Sequence, residues 1–254
     1  SGFPRAVHES NAVLGLSNRL CRLLGSRLFW GLPREGASPV TGTPVRPALW
    51  EPLPGAMARA RLGLDPARMT ILVFGGSQGA RGINREVPRA LARVAAAALG
   101  RLQVLHLAGA RNAEDVKAAY ADAPLKAVVL EYLDAMQDAY SAADLVICRA
   151  GASTLAELCC QGKPAVLIPY PSAAAGHQEA NALLFKRAGT AQVVLEGELA
   201  TRLPALVSDL LFSEHGEAVL RAMRESYRNI ALPPPMRAAA RLADAVEALA
   251  AERP

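Results

Sequence analysis

Residues 71–81 read ILVFGGSQGAR, a run of four apolar residues followed by a glycine-rich turn. The apolar run predicts a buried strand, and the stretch after the turn, 82–98, predicts a helix. Glycines in such a turn let the backbone approach a ligand closely, and the free amides at a helix start favour a phosphate. The turn lacks the Gly-Lys-Ser/Thr of a P-loop and the spacing of a GxGxxG fingerprint. We expect a phosphate site here, and the alternative is an ordinary tight turn between a strand and a helix.

The same alternation of apolar runs and helical stretches continues toward the carboxyl end. Further strands are predicted at residues 104–107, 127–130, 144–148, 165–168 and 192–195. Further helices are predicted at residues 113–121, 136–143, 154–161 and 179–187. Strands that are apolar throughout and lie between amphipathic helices indicate a parallel sheet covered on both faces. The predicted fold class is therefore α/β, a doubly wound domain that binds ligands at the carboxyl ends of its strands.

The sequence on either side of this domain is less regular. Over residues 16–28, leucines follow helical spacing with arginines between them. Residues 31–65 are rich in proline and glycine, which predicts a linker between domains. Three prolines at 233–235 force an extended break, and residues 236–252 beyond it predict one terminal helix.

The composition narrows the classes of partner. The chain has 254 residues, with 28 basic against 23 acidic side chains and a net charge of +5, which favours an anionic partner. Aromatic residues make up only 5%, which argues against a nucleic-acid surface on which bases stack. The four cysteines lack the spacing of a disulfide framework or a metal site. No apolar run approaches the roughly 20 residues of a membrane helix.

A second strand-to-helix turn lies at residues 149–157, which read RAGASTLAE. One interpretation is helix capping, with Ser153 or Thr154 as the N-cap and Glu157 as the acid of a capping box. Capping does not explain the small residues that precede the hydroxyls. We favour a second anion-binding turn beside the first at the same edge of the sheet, because two such turns fit a diphosphate.

A third motif follows the fifth predicted strand, where His177, Gln178 and Asn181 fall on the first turn of a helix. Gln and Asn side chains offer both donors and acceptors, as the recognition of sugar hydroxyls requires. The alternative is a solvated helix start. A metal role for His177 is disfavoured because no His, Cys or carboxylate partner lies at ligand spacing.

A fourth motif occupies residues 8–15. His8 and Glu9 suggest acid–base chemistry, but adjacent residues of a strand point to opposite faces. The alternative is that they are turn residues ending a strand. The remaining histidines carry no motif, and we expect His106 in the core and His215 at the surface.

The four motifs, in this order and over nearly the whole chain, resemble the MurG family of glycosyltransferases. The resemblance is carried by His8-Glu9-x-Asn11 with Gly15 and Asn18, the turn 43–46, the turns 75–80 and 151–157, and His177-Gln178 with Asn181. It implies the GT-B architecture, in which two Rossmann-like domains enclose a nucleotide-sugar cleft. The implied domains are a remnant of a truncated amino-terminal acceptor and membrane domain at 1–46, a complete carboxy-terminal UDP-sugar-binding domain at 47–233, and a terminal helix returning toward the first domain at 234–254.

The resemblance also implies which residues contact the donor. The implied set is Asn11, Arg46, Ser77, Gln78, Leu133, Met136, Ala152, Ser153, Thr154, Glu157, His177, Gln178 and Asn181. Within it, the backbone of Leu133 would meet the uracil with Met136 close by, and Glu157 would hold the ribose hydroxyls. The diphosphate would lie between Ser77 and residues 152–154, and the third motif would read the sugar hydroxyls.

By the same resemblance, the activity would be inverting transfer of N-acetylglucosamine from UDP-GlcNAc to the muramoyl C4 hydroxyl of lipid I, giving lipid II for peptidoglycan. The partners would be UDP-GlcNAc, lipid I and the anionic cytoplasmic face of the bacterial cell membrane, with no cofactor, metal ion or nucleic acid. Family members begin with a glycine-rich loop ending in a histidine, a candidate general base that this sequence lacks, so no catalytic residue is assigned. The alternatives are another GT-B glycolipid transferase and a nucleotide-sugar-binding fragment without catalysis.

Overall fold

The computed structural model describes residues 4–34, 36, 38–173 and 176–251. The strands are β1 (Ala6–Glu9), β2 (Arg27–Trp30), β3 (Met69–Phe74), β4 (Leu102–Leu107), β5 (Lys126–Leu130), β6 (Leu145–Cys148), β7 (Ala165–Leu167) and β8 (Ala191–Val193). The α-helices are α1 (Leu16–Leu23), α2 (Gly55–Arg61), α3 (Arg81–Ala98), α4 (Ala113–Tyr120), α5 (Met136–Ala142), α6 (Ala152–Gln161), α7 (His177–Ala188), α8 (Leu199–Phe212), α9 (Gly216–Glu225) and α10 (Ala238–Ala251). Within the described ranges the strands form a two-stranded sheet, β1-β2, and a six-stranded sheet in the order β5-β4-β3-β6-β7-β8.

The six-stranded sheet is parallel throughout and is covered on both faces. In β3, Ile71 and Val73 pack into one apolar layer, whereas Leu72 and Phe74 pack into the other, as the alternation of side chains along a strand requires. Helices α3, α4, α8 and α9 close the first layer, and α2, α5, α6 and α7 close the second. The predicted α/β fold with a doubly wound parallel sheet is confirmed.

The strand order reverses between β3 and β6. From β3 the chain moves outward through β4 to β5, and from β6 it moves the other way through β7 to β8. Phe74 at the end of β3 pairs with Cys148 at the end of β6, so the turns that follow these strands start side by side. Ligands of doubly wound sheets bind at such a reversal, outside the carboxyl ends of the strands.

The segment 31–65, which we expected to be a linker, belongs in large part to the packed domain. A short 3-10 turn (Pro47–Leu49) and helix α2 lie against α5. Leu49, Ala58 and Leu64 are buried there. The linker prediction is wrong because proline and glycine content reports local backbone preference, whereas a few buried apolar side chains fix this segment to the sheet.

Helices α8 and α9, which the sequence pattern did not reveal, complete the first layer. Pro204 lies inside α8, where it has no N–H to donate to the carbonyl of Ala200. Arg93 of α3 supplies the missing donor, because its Nη1 lies 2.9 Å from that carbonyl oxygen. A proline that ordinarily ends a helix is thus accommodated by the neighbouring helix.

The amino-terminal unit consists of β1, α1 and β2, with the two strands paired in parallel. The far end of the chain returns to this unit, since Ala238 at the start of α10 is buried and lies against Gly42. The terminal helix starts at Ala238 rather than at 236, after a 3-10 turn at Pro235–Arg237. No helix in the described ranges is long and apolar enough to cross a membrane.

Candidate functional site

The glycine-rich turn after β3 is held in shape by close backbone contacts. Gly79 has a φ of 73°, and a Cβ there would lie 2.1 Å from the carbonyl oxygen of Ala108. Gly75 is confined in the same way, since a Cβ would lie 2.6 Å from the backbone nitrogen of Ala80. Only glycine fits at both positions. The turn therefore packs tightly through its backbone and leaves the predicted residues Ser77 and Gln78 exposed at its tip.

A buried polar cluster supports this turn. Asn84 of α3 donates from Nδ2 to the Ala108 carbonyl oxygen at 2.8 Å, the same oxygen that lies against Gly79. An amide oxygen only accepts, so His106 donates from Nε2 to Asn84 Oδ1 at 3.2 Å, and its Nδ1 accepts from the Tyr120 hydroxyl at 3.1 Å. His106 is fully buried and neutral, which confirms the prediction of a core histidine.

The stability of the chain should depend on pH through His106, because burial lowers its pKa to about 3. In the unfolded chain the ring titrates near pH 6.5, so between these values the unfolded state binds a proton that the folded state does not. We expect the contribution of His106 to the free energy of unfolding to be complete above about pH 6.5. It should then fall by about 1.4 kcal/mol per unit as the pH drops toward 3.

Urea denaturation of the wild-type and His106→Gln proteins at pH 7 and pH 5 measures this contribution. The wild type should be the more stable protein at pH 7, and its advantage should shrink at pH 5. An advantage that is the same at both values would contradict the assignment of a neutral, buried His106.

The turn after β6 leads directly into α6. Gly151 is the N-cap, it offers no side-chain cap, and the helix begins at Ala152. Ser153 and Thr154 lie within the first turn, so the interpretation of either residue as the N-cap is wrong. First-turn amides have no acceptors within their own helix, which leaves donors at residues 152–154 at the positive end of the helix dipole.

Glu157, in the second turn of α6, faces a buried tyrosine rather than the helix start. Its Oε2 accepts a hydrogen bond from the Tyr140 hydroxyl at 2.8 Å, so the capping-box interpretation is also wrong. Burial raises the pKa of Glu157 above its ordinary value, while the Tyr140 hydroxyl and the positive charge of Arg46 act in the opposite sense. Arg46 donates from Nη1 to the backbone oxygen of Asp134 at 3.2 Å.

Leu133 lies in the segment between β5 and α5, and Met136 is the first residue of α5. Both are half-buried against the second apolar layer, which also contains the ring of Tyr140. The contact of Arg46 with Asp134 and its charge near Glu157 join this segment to α6. Four predicted residues are thereby collected in one region, namely Arg46, Leu133, Met136 and Glu157.

A cavity of about 560 Å³ opens at the reversal of strand order. It is lined by the glycine-rich turn, by the start of α3 and by residues that follow β6 and β7. Two predicted residues, Gln78 and Gln178, line it. Gln178 Oε1 accepts a hydrogen bond from the backbone nitrogen of Tyr170 at 3.0 Å, which fixes the direction of its amide.

Arg149 and Glu196 form an ion pair in the wall of this cavity, in which the arginine is buried and the glutamate side chain is 29% exposed. The Arg149 side chain is 8% exposed, and its Nη1 donates to the backbone oxygens of Ile168 and Pro169, both at 3.2 Å. Its guanidinium carbon lies 5.2 Å from the ring centroid of Tyr170. Sequence reasoning assigned no role to this pair. The available signal was an arginine directly after a wholly apolar strand, at the ligand-binding edge of the sheet.

The other two polar residues of the third motif face the amino-terminal unit. The His177 ring lies against Gly15, 3.3 Å from where a Cβ would stand. Asn181 is fully buried, its Oδ1 accepts from the Ala12 nitrogen at 2.8 Å, and its Nδ2 donates to Asn11 Oδ1 and to the Ala150 oxygen, both at 3.0 Å. Asn11 and Asn181 thus bind each other across 170 positions of sequence.

The chemistry of the region is that of amides, hydroxyls and a carboxylate. Among the residues that the structure describes, no group of three or more His, Cys, Asp or Glu side chains is placed to hold a metal ion. Two turns rich in backbone donors stand beside each other, with the half-buried carboxylate of Glu157 in the next turn of α6. This arrangement suits an anion that carries hydroxyl groups on its flanks.

Comparison with known proteins connects this site to glycosyl transfer. The model of the glycosyltransferase family 28 C-terminal domain matches residues 70–231. A UDP-N-acetylglucosamine--N-acetylmuramyl-(pentapeptide) pyrophosphoryl-undecaprenol N-acetylglucosamine transferase from Geobacter sulfurreducens is 38% identical over 236 residues. That alignment covers 90% of this chain and 63% of the relative. A transferase of the same name from Bordetella petrii is 40% identical, over 100% of this chain and 68% of the relative.

Solved structures show the same relationship. MurG of Acinetobacter baumannii is 30% identical and has a TM-score of 0.74, with 97% of this chain and 67% of that chain covered. WaaG, a glycosyltransferase involved in lipopolysaccharide biosynthesis, is 15% identical over 95% of this chain and 75% of that chain, and its TM-score of 0.58 shows a shared fold. The chain described here spans 63% and 68% of the lengths of the two relatives compared above.

Proposed function

The chain belongs to the MurG family of glycosyltransferases, and on that premise we propose that it binds UDP-N-acetylglucosamine at the reversal of its six-stranded sheet. The observation that carries the proposal is the pairing of Phe74 with Cys148, because it starts the two amide-rich turns side by side. A diphosphate between them accepts hydrogen bonds from both turns. We choose N-acetylglucosamine as the sugar because the Geobacter and Bordetella relatives are named as N-acetylglucosamine transferases.

The diphosphate and the nucleoside occupy separate parts of the proposed site. Ser77 and Gln78 approach the diphosphate from one turn, and the amides of Ala152, Ser153 and Thr154 approach it from the other. The half-buried carboxylate of Glu157 accepts hydrogen bonds from the ribose hydroxyls.

The uracil and the sugar complete the proposed contacts. The uracil meets the backbone at Leu133, with Met136 beside it and Arg46 near the nucleotide. Gln178 reads the sugar hydroxyls with His177 close by. The side-chain amides of Asn11 and Asn181 bind each other beside this site.

The proposed reaction is a direct displacement with inversion. The muramoyl C4 hydroxyl of lipid I attacks the anomeric carbon from the face opposite UDP, while the bond from that carbon to the diphosphate oxygen breaks and the hydroxyl proton passes to a base. The negative charge that grows on the departing UDP is stabilised by the backbone amides of both turns and by the dipole of α6.

Titration calorimetry of the 254-residue chain with UDP-GlcNAc and with UDP-glucose tests the donor assignment. We expect both ligands to release heat and UDP-GlcNAc to bind more tightly, because Gln178 and its neighbours recognise the sugar. Absence of binding would contradict the site itself. Equal affinity for the two ligands would contradict the assignment of N-acetylglucosamine.

The outer face of α1 supports a proposed contact with the anionic cytoplasmic surface of the membrane. Leu16 and Leu23 are 82% and 84% exposed on this helix, and Arg19 and Arg22 lie between them. A short helix with exposed leucines and arginines binds in the interface of an anionic bilayer.

Replacing both Leu16 and Leu23 by serine should weaken binding to phosphatidylglycerol vesicles by about a hundredfold, since burial of each leucine in the bilayer contributes about 1.5 kcal/mol or more. Co-sedimentation with vesicles measures the change. Leu99→Ser is the matched control, because Leu99 is 87% exposed at the end of α3 and lies outside α1. Equal binding by the wild type and the double variant would contradict the proposed membrane face.

A further inference from the structure

A chain of hydrogen bonds, buried at Glu9 and Asn181, runs from the amino-terminal unit to the start of α6. It begins at Glu9, at the end of β1, and passes through Asn11 and Asn181 to the backbone oxygen of Ala150. Glu9 is 3% exposed and Asn181 is 0% exposed, so both must satisfy their hydrogen bonds within the protein. We call these four residues the Glu9–Ala150 chain.

Glu9 fixes one end of this chain with both carboxylate oxygens. Its Oε1 accepts from the backbone nitrogen and from Nδ2 of Asn11, at 3.0 and 2.9 Å. Its Oε2 accepts from the Gly15 nitrogen at 2.8 Å and from Asn18 Nδ2 at 3.0 Å. Burial alone would raise the pKa of Glu9, but these donors outweigh it and hold the pKa below its ordinary value. Glu9 is therefore a fixed acceptor and a poor general base.

The orientation of each amide in the chain follows from the one before it. Asn11 directs Nδ2 to Glu9, so its Oδ1 faces the other way and accepts from Asn181 Nδ2. Asn181 then has Oδ1 free to accept from the Ala12 nitrogen, and its Nδ2 also donates to the Ala150 oxygen. Every bond in the chain requires a donor to meet an acceptor, so reversing one amide breaks its neighbours.

The far end of the chain adjoins the proposed diphosphate site, since Ala150 is followed by Gly151 and the first turn of α6. We propose that Glu9 and Asn181 are positioning residues that hold this first turn in place for the diphosphate and link it to the amino-terminal unit. The inference rests on the proposed donor site. The hydrogen bonds of both side chains are made within the protein, which is the arrangement expected of positioning residues.

A double-mutant cycle on UDP affinity tests the proposal. Glu9→Gln places an amide nitrogen where an oxygen accepts two hydrogen bonds, and Asn181→Ala removes the link to Ala150. Each single change should weaken UDP binding by about tenfold, within the range measured for coupled residues. The double variant should have about the same affinity for UDP as the single variant that binds UDP less tightly, because both changes interrupt the same Glu9–Ala150 chain. Unchanged affinity in either single variant, or effects that multiply to about a hundredfold, would overturn the proposal.

Two exposed positions provide matched controls. Glu217→Gln on α9 and Asn229→Ala in the turn after it repeat the same chemical changes away from the site. Both control variants should bind UDP as the wild type does. Urea denaturation of every variant establishes that the protein used for titration is folded.

Hydrogen exchange of the ligand-free chain gives a second readout that does not depend on UDP. In Glu9→Gln, the amides from Leu155 onward in α6, the first of which donates to the Gly151 oxygen at 3.0 Å, should exchange faster than in the wild type, while amides of β3 exchange at the same rate. Unaltered exchange in this part of α6 would show that Glu9 does not reach the helix and would overturn the proposal. A wild-type chain that binds no UDP would instead contradict the donor site, and the exchange experiment would still decide on the coupling.

Discussion

Glu196→Ala should lower the free energy of unfolding by about 2 kcal/mol, because it removes the charged hydrogen-bond partner of the buried Arg149 side chain. The change leaves the Arg149 guanidinium, 8% exposed, with two backbone oxygens and the Tyr170 ring as its remaining neighbours. The penalty arises because a buried charge then lacks its counter-charge. Urea denaturation at pH 7 measures it.

Glu198→Ala is the matched control for this prediction. Glu198 lies two positions after Glu196 in sequence and pairs with Arg202, four positions further on. These two side chains are 40% and 54% exposed, so water screens their charges. Its replacement should change the stability far less than Glu196→Ala does. Equal losses in the two variants would contradict the prediction that Arg149 depends on Glu196 as its counter-charge.

Glu157→Ala should weaken UDP binding by about 1–3 kcal/mol, because the ribose hydroxyls would be left without their acceptor in a partly buried site. Tyr140→Phe should have a smaller effect in the same direction, since the Tyr140 hydroxyl donates to Glu157 Oε2 and holds it in place. Calorimetry with UDP measures both variants. Glu217→Ala, an exposed carboxylate on α9, is the control and should leave the affinity unchanged. An unaltered affinity in Glu157→Ala would remove this residue from the site.

The central sheet could be predicted because its strands are apolar on both faces. The run at 71–74 packs its side chains alternately into two layers, and such a run is stable only as a strand covered on both sides. Helix α8 was not predicted from the sequence, and this too has a physical reason. Pro204 argues against a helix in the sequence, and the compensating donor, Arg93, comes from another helix more than a hundred positions away.

The candidate site could be predicted in part. Glycines and small residues at strand ends pointed to the two turns, and the pairing of Phe74 with Cys148 starts those turns at neighbouring strand ends. The third motif was predicted to read sugar hydroxyls, yet Asn181 is buried and holds Asn11 and Ala150. Burial and hydrogen-bond partners across 170 positions depend on the folded chain, and local spacing does not reveal them.

A crystal structure of the 254-residue chain with UDP-GlcNAc tests the central claim most directly. We predict that the diphosphate oxygens lie about 3 Å from backbone nitrogens of both turns, those at 77–79 and those at 152–154. A diphosphate bound to only one of these turns, or outside the reversal between β3 and β6, would contradict the account.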